Sequence, residues 1–248
     1  MSTKRYIVGN WKMNHSLKEL DAFWSQLKST DFTKFESNAW IAPQGIHLSK
    51  CLEMAGSGIK LGAQNCHHKL SGAFTGEASP SALKDMGAEF VIIGHSERRA
   101  IFNESHEELN LKVKTALELG LKVIFCVGET LQERNEGRVF AVNQNQIHQG
   151  LKGIDPSKLG SLLVAYEPVW AIGTGVTASP EQAEEVHHFL RELLGKFLGR
   201  NSIPLLYGGS VKPANIKDLL SKPNIDGGLV GGASLKASDF LKLVEAAG

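Results

Sequence analysis

A few polar residues stand directly behind short apolar runs, and their types suit acid–base chemistry. Asn10 and Lys12, separated by Trp11, follow the run Tyr6–Val8. His95, Ser96 and Glu97 follow Phe90–Ile93, and Glu167 follows Leu162–Tyr166. Gly208-Gly209-Ser210 follows Pro204–Tyr207, and Gly231-Gly232 follows Gly228–Val230. The set holds a carboxylate, an imidazole, an ammonium, an amide and three sources of backbone N–H groups. Pro168 lacks an N–H and biases its predecessor toward extended backbone, which holds Glu167 at the end of an apolar run where water is scarce. Ser96-Glu97 reads as the opening turn of a helix, whose positive end favours a neutral His95 imidazole. Glycines let backbone approach an anion closely. Glycine pairs after the last two runs match the phosphate site of a parallel barrel.

Taken singly, each residue has an ordinary explanation. A Glu before Pro is a solvated loop residue, a lone His packs in a core, a Lys is surface charge, and Gly-Gly makes a tight turn. Only convergence turns them into a site, and convergence is the work of the elements between them. Short, β-branched apolar runs recur at Tyr6–Val8, Ala39–Ala42, Lys60–Ala63, Phe90–Ile93, Val123–Val127, Leu162–Tyr166, Pro204–Tyr207 and Gly228–Val230. They do not alternate polar with apolar, so they read as strands buried on both faces of a parallel sheet. Each gap has room for a crossover helix. Ser16-Leu-Lys-Glu19 and Ser105-His-Glu-Glu108 read as capping boxes, Ser179-Pro180-Glu181-Gln182 as a helix start, and Lys212-Pro213 as the opening of another helix. Gly56, Gly87, Gly120 and Gly199 fall where helices stop. The α/β class is a single closed (βα)8 barrel of eight parallel strands with outer helices, over residues 1–248. An open doubly wound sheet is the alternative.

Composition narrows the classes of function. The 248 residues carry 27 basic and 26 acidic side chains, with 42% hydrophobic residues. That balance excludes disorder and gives no electrostatic footprint for nucleic acid or an anionic membrane. The apolar runs are too short to span a bilayer, which takes about 20 residues. Cys51, Cys66 and Cys126 include no C-x-x-C pair, so neither a disulfide framework nor a zinc ribbon is expected. The adjacent pairs His67-His68 and His187-His188 do not share a face, so no metal site is expected. Gly173-Thr174-Gly175-Val176-Thr177-Ala178 fits G-x-G-x-x-A but is separated from its strand, so it is not a dinucleotide fingerprint. No signal-peptide core follows Met1, and a cytoplasmic protein is the expectation.

Four longer motifs resemble one family. Gly9-Asn10-Trp11-Lys12-Met13-Asn14, Gly94-His95-Ser96-Glu97-Arg98-Arg99, Tyr166-Glu167-Pro168-Val169-Trp170-Ala171-Ile172-Gly173-Thr174-Gly175 and Tyr207-Gly208-Gly209-Ser210-Val211 resemble triosephosphate isomerase, in order and spacing, from first strand to last helix. The resemblance implies a TIM barrel that interconverts dihydroxyacetone phosphate and D-glyceraldehyde 3-phosphate through an enediol(ate), in glycolysis and gluconeogenesis. It implies Glu167 as general base and His95 as neutral electrophile, roles that come from the family. Lys12 matches the ammonium that stabilises developing charge, with Asn10 beside it and Glu97 pairing with Lys12 in the ligand-free state. Gly173, Ser210, Gly231 and Gly232 match the phosphate grip. Pro168 to Ala178, including Thr174, Val176 and Thr177, matches a mobile lid; many members carry Lys where this chain has Val176. No metal or organic cofactor is implied. The long segment Gln64–Ser79 matches a loop that enters a second subunit, implying a homodimer with contacts at Phe74, Thr75, Glu77 and Arg98. A barrel aldolase would need a Schiff-base Lys in strand six, where Glu167 stands. A metal-dependent epimerase would need ligands on several strands, and a binding barrel would not keep both Glu167 and His95.

Overall fold

The structure, a computed structural model, describes residues 5–35, 37–172 and 178–248. The strands are β1 (Tyr6–Asn10), β2 (Asn38–Ala42), β3 (Ile59–Ala63), β4 (Phe90–Ile93), β5 (Lys122–Val127), β6 (Leu162–Tyr166), β7 (Leu205–Tyr207) and β8 (Gly227–Val230). All pair in parallel in sequence order, and β8 returns to β1 through Tyr6↔Gly227, closing the barrel. The outer helices are α1 (Leu17–Leu27), α2 (Leu48–Met54), α3 (Pro80–Met86), α4 (Ser96–Ala100), α5 (His106–Glu118), α6 (Leu131–Asn135), α7 (Val139–Gly150), α8 (Pro180–Leu198), α9 (Ile216–Leu220) and α10 (Ala237–Ala246).

Strand period explains the two cores. Neighbours along a strand point to opposite faces. Ile7, Val91 and Phe125 therefore join the layer under the helices, while Val8, Ile92 and Cys126 fill the barrel interior. Each large apolar side chain so buried contributes roughly 1.5–3 kcal/mol. Inside, the Trp40 and Phe90 rings pack 4.9 Å apart. Ala42 and Ala165, nearer the C-terminal strand ends, are small and leave the mouth open.

The caps follow the sequence with two differences. Ser16 and Ser179 form full capping boxes with Glu19 and Gln182. Ser105 accepts the Glu108 N–H, but the reciprocal half of the box is absent. The helix expected at Lys212-Pro213 begins only at Ile216. There the Asn215 side chain accepts the Lys212 N–H at 2.8 Å and donates to Ser210 O at 2.9 Å, so the stretch closes as a turn. No helix among the described residues is long and apolar enough to cross a membrane.

Candidate active site

Barrel closure brings β1, β4, β6, β7 and β8 to one mouth, around a cavity of about 500 Å³. Asn10, Lys12, His95, Glu167, Ser210, Gly231 and Gly232 all line it. Five residues expected in the lid, Gly173, Thr174, Gly175, Val176 and Thr177, lie outside the described residues. Ile172, just before them, lines the same cavity.

Lys12 is held at the mouth by its backbone. Its φ of 50° is in the left-handed region, an unfavourable setting for a side-chain-bearing residue, persisting where surroundings fix it. Gln64 supplies that restraint, its Nε2 donating to Lys12 O at 2.8 Å and Ala42 O at 2.9 Å. Trp11 is buried and donates to Ser234 O at 3.1 Å, tying this loop to the turn after β8. Asn10 Oδ1 accepts the Lys12 N–H, so its Nδ2 is the free donor. Lys12 Nζ lies 2.6 Å from Glu97 Oε1. Both groups are partly exposed, and such a pair is worth roughly 0.2–1 kcal/mol, so substrate charge can displace it.

Glu167 is 1% exposed. Its Oε2 accepts the Ser96 N–H at 2.8 Å. Its Oε1 lies 2.8 Å from His95 Nε2 and has no other partner among the described residues. His95 caps α4, and its Nδ1 accepts the Glu97 N–H at 3.2 Å. A ring that accepts at Nδ1 is neutral and carries its proton on Nε2, facing Glu167 and the cavity. Burial, the largest influence on this imidazole, pushes its pKa down, but the Glu167 carboxylate and then Glu97 push it up and prevail. The helix start was expected to leave the ring's pKa low; the adjacent carboxylates reverse the direction, while the Glu97 N–H still favours a bare Nδ1.

The glycines divide by what a side chain would meet. A Cβ on Gly208 would lie 2.8 Å from Glu167 Cγ, and one on Gly209 would lie 2.2 Å from the Tyr207 hydroxyl. Their bareness serves the protein's own packing. Among the described residues, a Cβ on Gly231 would meet only Lys12 Cε at 3.7 Å, and on Gly232 no atom within 4 Å. Their bareness keeps cavity space open, as an anion on backbone N–H groups requires.

Gln64, Glu129 and Gln146 are not among the residues expected from the sequence. Glu129 is fully buried after β5. It accepts from Tyr166 Oη at 3.0 Å, Trp170 Nε1 at 2.9 Å, Arg134 at 3.2 Å and Asn143 at 3.3 Å. Burial and this carboxylate push the Tyr166 phenol upward, keeping it a donor. Gln64 and Glu129 follow strand ends, a signal that could have found them; Gln146 lies within α7 and has none. The His67 and His68 rings do share a face, stacked 4.3 Å apart, because they sit in an irregular loop rather than on a helix or strand.

Comparison with known proteins agrees with this geometry. The family model described as triosephosphate isomerase matches residues 5–247. A triosephosphate isomerase of Carboxydothermus hydrogenoformans is 50% identical, over 98% of this chain and 98% of the relative. One from Leptospira interrogans is 50% identical over 97% and 99%, and one from Chlorobium phaeobacteroides 48% over 99% and 99%. With the match running through every strand that contributes to the mouth, the chain belongs to the triosephosphate isomerase family.

Proposed function

We propose that the residues at this mouth divide the family's reaction, the interconversion of dihydroxyacetone phosphate and D-glyceraldehyde 3-phosphate, as follows. Glu167 takes a proton from the hydroxymethyl carbon, and the electron pair moves onto the carbonyl oxygen. His95, neutral, gives its Nε2 proton to that oxygen and takes the proton of the neighbouring hydroxyl. The protonated Glu167 then returns a proton to the former carbonyl carbon. Lys12 and the Asn10 amide hold the negative charge of the enediolate. Glu97 occupies Lys12 until substrate arrives. When Glu167 swings from His95 toward carbon, the main influence raising the imidazole pKa departs. Burial and the Glu97 N–H then keep the ring neutral. The observation that carries this reading is the buried Oε1 of Glu167, beside the His95 Nε2 proton at the cavity wall and with no other partner among the described residues.

Ser210, Gly231 and Gly232, with Gly173 of the lid, grip the phosphate. The lid, residues 168–178, closes over it and excludes water. Its first turn is anchored by the Glu129 carboxylate on Trp170 and the Glu129 carbonyl on the Val169 N–H. No step calls for a metal or organic cofactor.

The chain, one domain over residues 1–248, works as a homodimer. Large apolar side chains are exposed on each of the first four βα units: Met13 at 88%, Ile46, Phe74 at 41% and Phe102 at 62%. Adjacent strands carry these units, so they form one face, and a second copy is the partner that covers it. Thr75 and Glu77 are exposed in the loop after β3. Arg98 is drawn back by Glu104 at 2.6 Å, over the Phe102 ring. Its remaining donors are what a partner's Glu77 would meet. Three buried thiols fit a reducing cytoplasm.

Solvent isotope uptake tests the proton-transfer reading. In heavy water, glyceraldehyde 3-phosphate formed from dihydroxyacetone phosphate should carry deuterium at C2. Product with protium there throughout, even from enzyme lacking residues 172–176 and so open to solvent, would mean direct hydride migration and remove the base.

A further inference from the structure

The backbone that carries Glu167 is laid along the end of β5. Strand hydrogen bonds alternate sides from residue to residue. Val127 O accepts the Glu167 N–H at 2.7 Å, and Glu129 O accepts the Val169 N–H at 3.1 Å. Gly128, between them, turns its N–H and carbonyl the other way, toward the β4 side. But β4 has ended, and Gly94, at φ 76°, turns the chain away into α4. The Gln146 side chain, buried on α7, takes the missing strand's place. Its Oε1 accepts the Gly128 N–H at 2.8 Å and its Nε2 donates to Gly128 O at 3.0 Å. Gly128 has no freedom on its other side, since a Cβ there would fall 1.7 Å from Glu167 O. One amide thus supplies one rung of a ladder and presses Gly128 against the backbone of Glu167.

We propose that Gln146 is a positioning residue for the isomerisation, setting through Gly128 the backbone from which Glu167 projects. The inference rests on Glu167 as the base. Two substitutions separate positioning from mere support. Gln146→Leu keeps the bulk and removes both hydrogen bonds. Gln146→Glu still accepts from the Gly128 N–H, but when ionised it opposes Gly128 O; when protonated it donates to that oxygen as the amide does. Burial opposite a carbonyl, with Glu104, Glu133 and Glu167 lining the same cavities, favours the protonated form, while Arg99, His106 and Arg138 there favour the ionised one, so both forms are sampled across the pH series.

The measurement is kcat and KM per folded molecule, with the folded fraction read by circular dichroism, across a pH series for both variants and the parent. For Gln146→Leu, kcat should fall about tenfold or more while KM stays within about threefold, because the phosphate-facing turns follow β7 and β8. For Gln146→Glu, the ratio of its kcat to the parent's at the same pH should rise as pH falls. That ratio cancels the titration of Glu167 itself. A merely structural role would lower stability and leave kcat per folded molecule and the ratio flat. Variants both within about twofold of the parent, with a ratio constant across pH, overturn the proposal. If Gln146→Leu does not fold, the pH course of Gln146→Glu decides alone. Failure of the base assignment shows elsewhere, as full turnover in Glu167→Asp, whatever Gln146 does.

Discussion

At the scale of residues, the two glycine pairs make opposite predictions. Gly208→Ala places a methyl 2.8 Å from Glu167 Cγ and 3.2 Å from Tyr166 O. Glu167, the proposed base, must move, so kcat should drop about tenfold or more with KM little changed. Gly232→Ala meets no atom of the described residues within 4 Å. Its thermal midpoint should match the parent's, while KM rises about tenfold because the methyl occupies anion space. Steady-state kinetics beside a thermal melt reads both, and an unchanged KM in Gly232→Ala would place the phosphate elsewhere. The cavity-lining residues Asn10, Lys12, His95 and Glu167 were legible in the sequence because they stand at or just past strand ends. Gln146 was not, because its work is to complete a backbone ladder, and the gap it fills exists only once β4 turns away from β5.

At the scale of elements, eight strands were legible because burial on both faces leaves a continuous apolar run, which no exposed segment of this chain imitates. Helix starts were less so. Lys212-Pro213 has the chemistry of a first turn, yet the Asn215 side chain takes the Lys212 N–H and delays α9 to Ile216. The loop after β3 is the element with most at stake. Its neck is tied by the His67 N–H to Ala78 O at 2.8 Å, and Ser79 caps α3 just beyond. Its tip carries Leu70 and Phe74 into solvent, with Phe74 resting on the His67 ring at 4.1 Å. Fully burying a phenylalanine contributes roughly 2–3 kcal/mol, and a twofold interface counts it twice. Replacing residues 70–77 by a short Gly-Ser link leaves the neck bond and the cap in place. The product should be a folded monomer with turnover lowered at least about a hundredfold, because in the proposed homodimer the Thr75 loop braces the partner's site. Sedimentation and kinetics on one sample check this, and monomers of full activity would uncouple dimer contact from the site.

For the whole molecule, closure is what makes a site from residues more than 150 positions apart. The barrel sets the distance between Glu167 just after β6 and His95 after β4, and its packed interior leaves no slack to recover a misplaced group. Position at the level of an ångström is therefore the central claim, and shortening the base by one methylene probes it most directly. Glu167→Asp keeps the carboxylate and its charge but withdraws it by about 1 Å, a displacement that costs on the order of 10²-fold in rate. Coupled assay of glyceraldehyde 3-phosphate isomerisation should show kcat reduced by about that factor with KM close to the parent's. Turnover within about threefold of the parent would contradict Glu167 as the group that moves the proton.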